Sequence, residues 1–164
     1  MSNVKYLETD FIESLANELR NELNMNSSTI DIKKIANELG FQVYGTTFQN
    51  EDISGKVIHN NECKEIYVAD ESFERQRFTI AHEIGHIILH HNIDEEINEV
   101  DYRTSDRQFN RKEFQANAFA SALLMPKNEA IKVWEKVYDI DDFADYFEVS
   151  KKAASIRLLN LGLI

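Results

Sequence analysis

Hydrophobic positions along this chain follow two periods, a helical one at both ends and a strand-like one in a short stretch between them. Phe11, Leu15, Leu19 and Leu23 recur every fourth residue with Ile12 and Ala16 beside them, which predicts an amphipathic helix over about 9–24. Ile32, Ile35, Ala36 and Leu39 predict a second helix over about 30–39, with Ser28 or Thr29 as its cap and Gly40 as its stop. Short β-prone runs at 41–47, 53–59 and 65–69 predict a small antiparallel sheet. A helix over about 73–90 follows, apolar on nearly every face and therefore buried. The acidic stretch from Asn92 to Asp106 reads as an irregular loop, and a further helix containing Phe109–Ala120 is ended by Pro126. Ile140–Tyr146 and Ser150–Asn160 form two short helices joined at Glu148-Val149, in the manner of a helix-turn-helix. The expected fold is α+β: a mostly helical single domain, with a three-stranded antiparallel sheet packed beside the helix at 73–90 and helix-turn-helix-like helices at the C-terminus.

The helix at 73–90 carries His82-Glu83-Ile84-Gly85-His86. Positions four apart on a helix stand one above the other, so His82 and His86 converge on one point with Glu83 beside it. Two buried imidazoles and a buried carboxylate are costly without partners, and a metal ion supplies a partner for all three. Neutral imidazole is a good zinc ligand, and zinc held by three protein groups keeps a fourth position for water. Bound zinc brings the pKa of such water to about 7, and Glu83 is placed to take its proton and hand it to a leaving amine. Gly85 points the same way, since a glycine inside a helix costs about 1 kcal/mol against alanine and needs a close approach to compensate it.

A third ligand must come from elsewhere. His90 continues the stripe, but at 1.5 Å per residue it lies about 12 Å along the axis from His82, out of reach for an unbroken helix. The metzincin solution needs a glycine and a third histidine where this chain has Leu89 and Asn92. Glu113 is the better candidate, the one carboxylate in a helix that turns increasingly apolar. Ala116 and Ala120 share its face, and small side chains there let that helix come close to the helix of Gly85. Asn117, one turn on, can hold the second nitrogen of a ligand histidine.

The runs R-F-T-I-A-H-E-I-G-H-I-I-L-H and E-F-Q-A-N-A-F-A-S-A-L-L-M-P resemble the ImmA/IrrE family of zinc metallopeptidases. Ile35–Phe41, Phe143–Ser150 and Arg157-Leu158 are similar to the family as well. The resemblance implies one zinc per chain held by His82, His86 and Glu113, with Glu83 as general base. It also implies a narrow protein substrate, most often a phage-type or stress-response repressor carrying its own helix-turn-helix, whose cleavage releases genes. Within one metallopeptidase domain over 1–164, residues 1–29 are then an N-terminal helix, 30–126 the zinc peptidase core and 127–164 a C-terminal helical segment.

Composition narrows this further. A chain of 164 residues is one ordinary domain, large enough to bury roughly 70% of the surface its unfolded form exposes. It has one proline, five glycines and no evident linker or repeat. The single cysteine, Cys63, rules out an internal disulfide framework and reads as a small half-buried residue. No secretory leader or membrane span stands out, so the expected location is the cytoplasm. The net charge of −11 argues against charge-driven binding to nucleic acid and suits a basic partner such as a repressor. Within the last helix Lys151, Lys152 and Arg157 are the chief exposed cations, while Ala153, Ala154, Ile156, Leu158 and Leu159 pack inward, which favours a structural or partner-contact role over base reading. His59, His91 and Tyr102 are each able to stabilise an oxyanion, and the sequence does not choose among them. An edge of the sheet beside the metal offers a place for an extended peptide to add as a strand. The rival reading is a zinc-containing antirepressor or toxin that acts by occupying its partner; yet a purely structural site has no use for Glu83 and ordinarily fills all four positions with Cys and His. Direct DNA regulation through the tail is a third reading and requires salt-sensitive DNA affinity.

Overall fold

The computed structural model describes residues 2–27, 29–91, 95–102 and 111–164, and of residues 2–7 the backbone alone. In chain order the elements are α1 (Ser2–Glu22), α2 (Ile32–Glu38), β1 (Gln42–Thr46), β2 (Ile53–His59), β3 (Lys64–Ala69) and α3 (Phe73–His90). After these come β4 (Ile97–Tyr102), α4 (Arg111–Leu124), α5 (Lys127–Val137), α6 (Ile140–Phe147) and α7 (Lys151–Asn160). The chain divides into two compact units, Asp31–Asn117 and a second made of Met1–Ile30 with Ala118–Ile164. Ser28, the alternative cap, lies outside the described residues, as do 92–94 and 103–106 of the expected loop and Phe109 and Asn110.

The unit of residues 31–117 holds the sheet. Asp31 caps α2, its side chain accepting from the Lys34 N–H at 3.1 Å, so the cap falls two or three residues beyond the expected Ser28 or Thr29. The sheet order is β1-β3-β2-β4. Asn60 makes the β2–β3 turn by accepting from the Glu62 and Cys63 N–H groups at 2.8 and 2.9 Å, the usual way an asparagine fixes a tight turn. Ile66 and Val68 of β3 and Val57 of β2 are fully buried, each worth about 1.5–3 kcal/mol of transfer out of water. Helix α3 packs on β2 and β3. Its observed bounds are those expected, opened by Ser72, which accepts from the Arg75 N–H at 3.4 Å.

The expected sheet of three antiparallel strands is corrected on two counts. β1 runs parallel to β3, and a fourth strand, β4, forms in the stretch expected to be an irregular loop and pairs antiparallel with β2. Three successive β-prone runs suggest a meander, but β4 occupies the outer edge of β2 and β1 lies on the remaining edge of β3. There Tyr44 stands opposite Tyr67 with ring centroids 5.4 Å apart, a cross-strand aromatic pair of the kind that fixes register. β4 escapes notice because three of its six residues, Asn98, Glu99 and Asp101, are polar; its backbone ladder, not its side chains, makes it a strand.

In the second unit, α1 buries Ile12, Ala16 and Leu19, while Phe11 at the head of the expected stripe is 62% exposed. Phe143 and Phe147 of α6 and Leu158 of α7 are fully buried. Glu148 joins α6 to α7 in the left-handed conformation at φ 52, which matches the expected junction. The reading of α7 needs correction. Arg157 is not an exposed cation; it is buried, donating to Met125 O at 2.9 Å and to both carboxylate oxygens of Glu13 at 2.8 and 2.9 Å. Ile156 and Leu159, expected inside, are 48% and 64% exposed. The guanidinium that satisfies a carbonyl and a carboxylate takes the inward face, which turns its neighbours out. Among the described residues no helix is long and apolar enough to cross a membrane.

Candidate metal centre

The helical repeat of α3 does what its spacing predicts. His82 and His86 are 4% and 6% exposed, and their Nε2 atoms lie 3.1 Å apart. Glu113, in the first turn of α4, brings its carboxylate oxygens to 3.3 Å from His82 Nε2 and 3.0 Å from His86 Nε2. One ligand atom from each of the three residues lies within 4.8 Å of the others. Tetrahedral zinc with its usual bond lengths would set two ring nitrogens about 3.3 Å apart, so the spacing of the imidazoles fits such an ion. The donor set, two nitrogens and one carboxylate, is also that of an open catalytic site and not of a closed structural one.

Each imidazole has a partner behind it. His82 Nδ1 donates to Asn117 Oδ1 at 2.8 Å, which leaves Nε2 of the neutral ring as the lone pair facing the cluster. His86 Nδ1 lies 2.9 Å from His90 Nδ1, and His90 Nε2 lies 2.9 Å from Gln115 Oε1. Asn117 thus stands where the sequence placed it. His90 touches His86 from behind and stays outside the cluster, as the helix rise required. Ala116 and Ala120 are fully buried.

Glu83 is 1% exposed, and its Oε1 has no hydrogen-bond partner among the described residues. Room for it comes from β2. A Cβ built on Gly55 would fall 2.6 Å from Glu83 Oε1 and 2.9 Å from Thr79 Cγ2. Opposite Gly55 stands Asp101 of β4, and the register slips between Ile53 and Gly55. Ser54 is the extra residue of that bulge, and its hydroxyl donates to Asp101 Oδ2 at 2.8 Å. Asp101 Oδ2 lies 3.7 Å from His82 Nε2. A bulge re-aims side chains beside it, and here it accompanies a carboxylate turned towards His82.

The cleft so formed measures about 160 Å³ and is lined by the carboxylates Glu83, Glu99, Asp101 and Glu113 together with His86, Val100 and Lys112. Its electrostatics follow. Burial pushes the Glu83 carboxyl up to about 8, with Asp101, Glu113 and Glu99 adding to the rise and His82 opposing it. At His82 burial, the largest single influence, disfavours charge, but the hydrogen bond to Glu113 and the charges of Glu83, Asp101 and Glu113 outweigh it and raise the pKa to about 9. Hydrogen bonds from His82 and His86 hold Glu113 well below the usual carboxylate range. Burial lowers the pKa of His90.

The remaining candidates are neither in the group of His82, His86 and Glu113 nor among the residues that line the cleft. His59 stacks edge-on against Phe41 at 5.9 Å. His91 sits between Glu95 and Glu99 at 3.5 and 3.2 Å. Tyr102 is 41% exposed at the end of β4. Cys63 is half-buried beside the β2–β3 turn. Sequence reasoning missed Asp101, Ser54 and Gly55. Gly55 carried a readable signal, because a glycine inside a β-prone run marks a close approach; Asp101 carried almost none.

A buried H-E-x-x-H helix against a mixed sheet, with a carboxylate delivered by a second helix, defines a metallopeptidase-like α+β protein. Residues 36–159 match the peptidase M78 family, described as the IrrE N-terminal-like domain, and the chain belongs to that family. No curated protein matches the sequence. Membership in this family implies a metal ion and a protein substrate, and His82, His86 and Glu113 form a group able to hold such an ion.

Proposed function

We propose that the protein is a zinc-dependent endopeptidase that cleaves one specific protein, a helix-turn-helix transcriptional repressor of phage, mobile-element or stress-response type, and thereby derepresses genes. The observation that carries the reading is the convergence of His82 Nε2, His86 Nε2 and the Glu113 carboxylate, with the unpartnered Glu83 oxygen buried beside them. His82, His86 and Glu113 are the metal ligands in this reading. A zinc ion there would lower the pKa of its water to about 7 and polarise the scissile carbonyl.

Glu83 supplies the general base. Its carboxylate is buried at the cleft beside His86 and Glu113, with Oε1 lacking a hydrogen-bond partner among the described residues, so it is placed to take a proton from metal-bound water and return it. Asn117 holds His82 with Nε2 facing inward. β4 is an edge strand of the sheet and lines the cleft through Glu99, Val100 and Asp101, so an extended substrate segment adding beside it would pass the metal. The net charge of −11 suits a basic repressor. Residues 1–164 act as one metallopeptidase domain in the cytoplasm, where such a substrate resides.

The test is incubation of the purified protein with the repressor encoded beside it, with zinc and with chelator. Zinc-dependent fragments are expected from the wild type, and none from Glu83→Gln, which should still bind zinc. A Glu83→Gln protein that cuts at the wild-type rate removes Glu83 from the chemistry. An intact, tight complex without fragments favours the antirepressor or toxin reading instead.

A further inference from the structure

The third histidine of the stripe in α3, His90, is not explained by the metal cluster or by the hydrolytic step. It is half-buried and makes two short contacts, His90 Nδ1 to His86 Nδ1 at 2.9 Å and His90 Nε2 to Gln115 Oε1 at 2.9 Å. A neutral imidazole carries one N–H and one lone pair, so the two contacts are not independent.

We infer that Gln115 and His90 form a hydrogen-bonded relay that fixes the orientation and tautomer of His86 and so sets the strength of the metal site. The inference rests on the reading of His86 as a metal ligand through Nε2. When Nε2 gives its lone pair to a metal, the proton of neutral His86 is on Nδ1 and needs an acceptor. His90 Nδ1 is that acceptor only if the proton of His90 is on Nε2. Gln115 Oε1 can only accept, and it stands 2.9 Å from Nε2, which holds the proton there. The line therefore runs in one direction: His86 donates to His90, and His90 donates to Gln115. His90 and Gln115 are positioning residues that act through His86.

α4 thereby serves the centre three times over. Glu113 points a carboxylate at both imidazoles, Asn117 accepts from His82, and Gln115 accepts from His90. Each ligand histidine has its rear nitrogen assigned by an amide of α4, directly for His82 and through His90 for His86. The two routes differ for a geometric reason. Asn117 follows Glu113 by four residues and shares its face, whereas Gln115, two residues on, is turned away by about 200° and reaches the cluster only through an intermediary.

The experiment compares zinc affinity, measured by competition with a chromophoric chelator, among the wild type, Gln115→Leu, Gln115→Glu and His90→Phe. Glutamate keeps an acceptor at 115 and leucine does not; His90→Phe keeps a ring and deletes both nitrogens. Gln115→Leu and His90→Phe should each bind zinc about 10- to 100-fold more weakly, the usual cost of losing such outer support, while Gln115→Glu stays within a few-fold of the wild type. Nitrogen-15 spectra of the zinc-loaded wild type should show a scalar coupling across the His86–His90 hydrogen bond that Gln115→Leu loses and Gln115→Glu keeps. Near-UV circular dichroism checks that each variant is folded; if one of the disruptive pair is not, the other supplies the comparison. Wild-type affinity in the folded Gln115→Leu protein, or equal weakening by leucine and glutamate, overturns the relay. A wild type that binds no zinc overturns the metallopeptidase reading itself.

Discussion

Gly55→Ala isolates the role of the close approach between β2 and α3. The added methyl would fall 2.6 Å from Glu83 Oε1 and 2.9 Å from Thr79 Cγ2, where ordinary contact begins at 3.4 Å. Relief therefore requires about 0.8 Å of movement at the carboxylate and about 0.5 Å at the threonine, the differences between those distances, and a side chain buried to 1% has little room to give. Misplacing a catalytic group by about 1 Å costs on the order of 10²-fold in rate, so cleavage should fall about 100-fold while zinc affinity changes little. Overpacking costs roughly 1–3 kcal/mol, and alanine returns about 0.4–1 kcal/mol by restricting the unfolded chain. The net cost of about 0–2.6 kcal/mol should accordingly lower the melting temperature by no more than roughly 10 °C. Gly45→Ala is the matched control: its Cβ meets nothing within 4 Å, so activity should be unchanged and stability slightly raised. Fragment appearance under single-turnover conditions, with thermal unfolding followed in parallel, reads both effects. A Gly55→Ala protein that cuts at the wild-type rate would show that the Glu83 carboxylate works from a different position.

Two further outcomes follow from charge and pairing. His82 has its pKa raised to about 9 without metal, and a histidine ligates only when deprotonated, so in the proposed site zinc binding at neutral pH should release at least one proton. Apparent affinity should climb by about tenfold per pH unit just below about pH 9, more steeply below about pH 8 where Glu83 is also protonated without metal, and level above about 9; calorimetry in buffers of different ionisation enthalpy counts the protons, and an affinity independent of pH below that point would refute the linkage. Arg157→Leu removes the guanidinium from the 13%-exposed Glu13 carboxylate, which keeps the Lys127 N–H at 3.0 Å, and leaves Met125 O without its donor, which should cost about 1–3 kcal/mol in denaturant unfolding; a loss below about 0.5 kcal/mol would mean that water replaces the guanidinium.

The grouping of the candidate site was legible in the sequence wherever one element dictated geometry by itself. The spacing of His82 and His86 follows from the helical repeat, and Glu113 and Asn117 follow from being polar on an otherwise apolar face of one helix. What escaped depends on a partner strand. The side chain of Asp101 reaches His82 only because β4 pairs with β2 and a bulge at Ser54 shifts the register, and neither event leaves a mark in hydrophobic periodicity. Parallel pairing of β1 with β3 was invisible for the same reason: the order of strands is a tertiary choice, made here by which edges remained free. Arg157 was misread because a cation on a short helix is ordinarily solvated, whereas Glu13, 144 positions away, gives it a buried partner that no local pattern announces.

Asp101 also shows why a centre of this kind favours a cation. Among the described residues four carboxylates line the cleft against one ammonium, that of Lys112; without metal, burial and then these negative neighbours raise the pKa of Glu83, and the neighbours raise that of His82 against its burial. A divalent ion answers the same field with twice the charge of a proton. Asp101→Asn removes one negative charge and keeps an acceptor for the Ser54 hydroxyl, so packing should survive. Since Asp101 raises both pKa values, its neutralisation must lower both. Proton release on zinc binding should then fade at a lower pH than the wild-type limit of about 9, while zinc affinity above that limit drops because a cation loses one attractive charge. The two effects have opposite sign near neutrality, where weaker competition by protons offsets weaker attraction. A gap between the two affinity curves that narrows as pH falls is thus the specific signature, and a uniform weakening at every pH would assign Asp101 to packing rather than to the field.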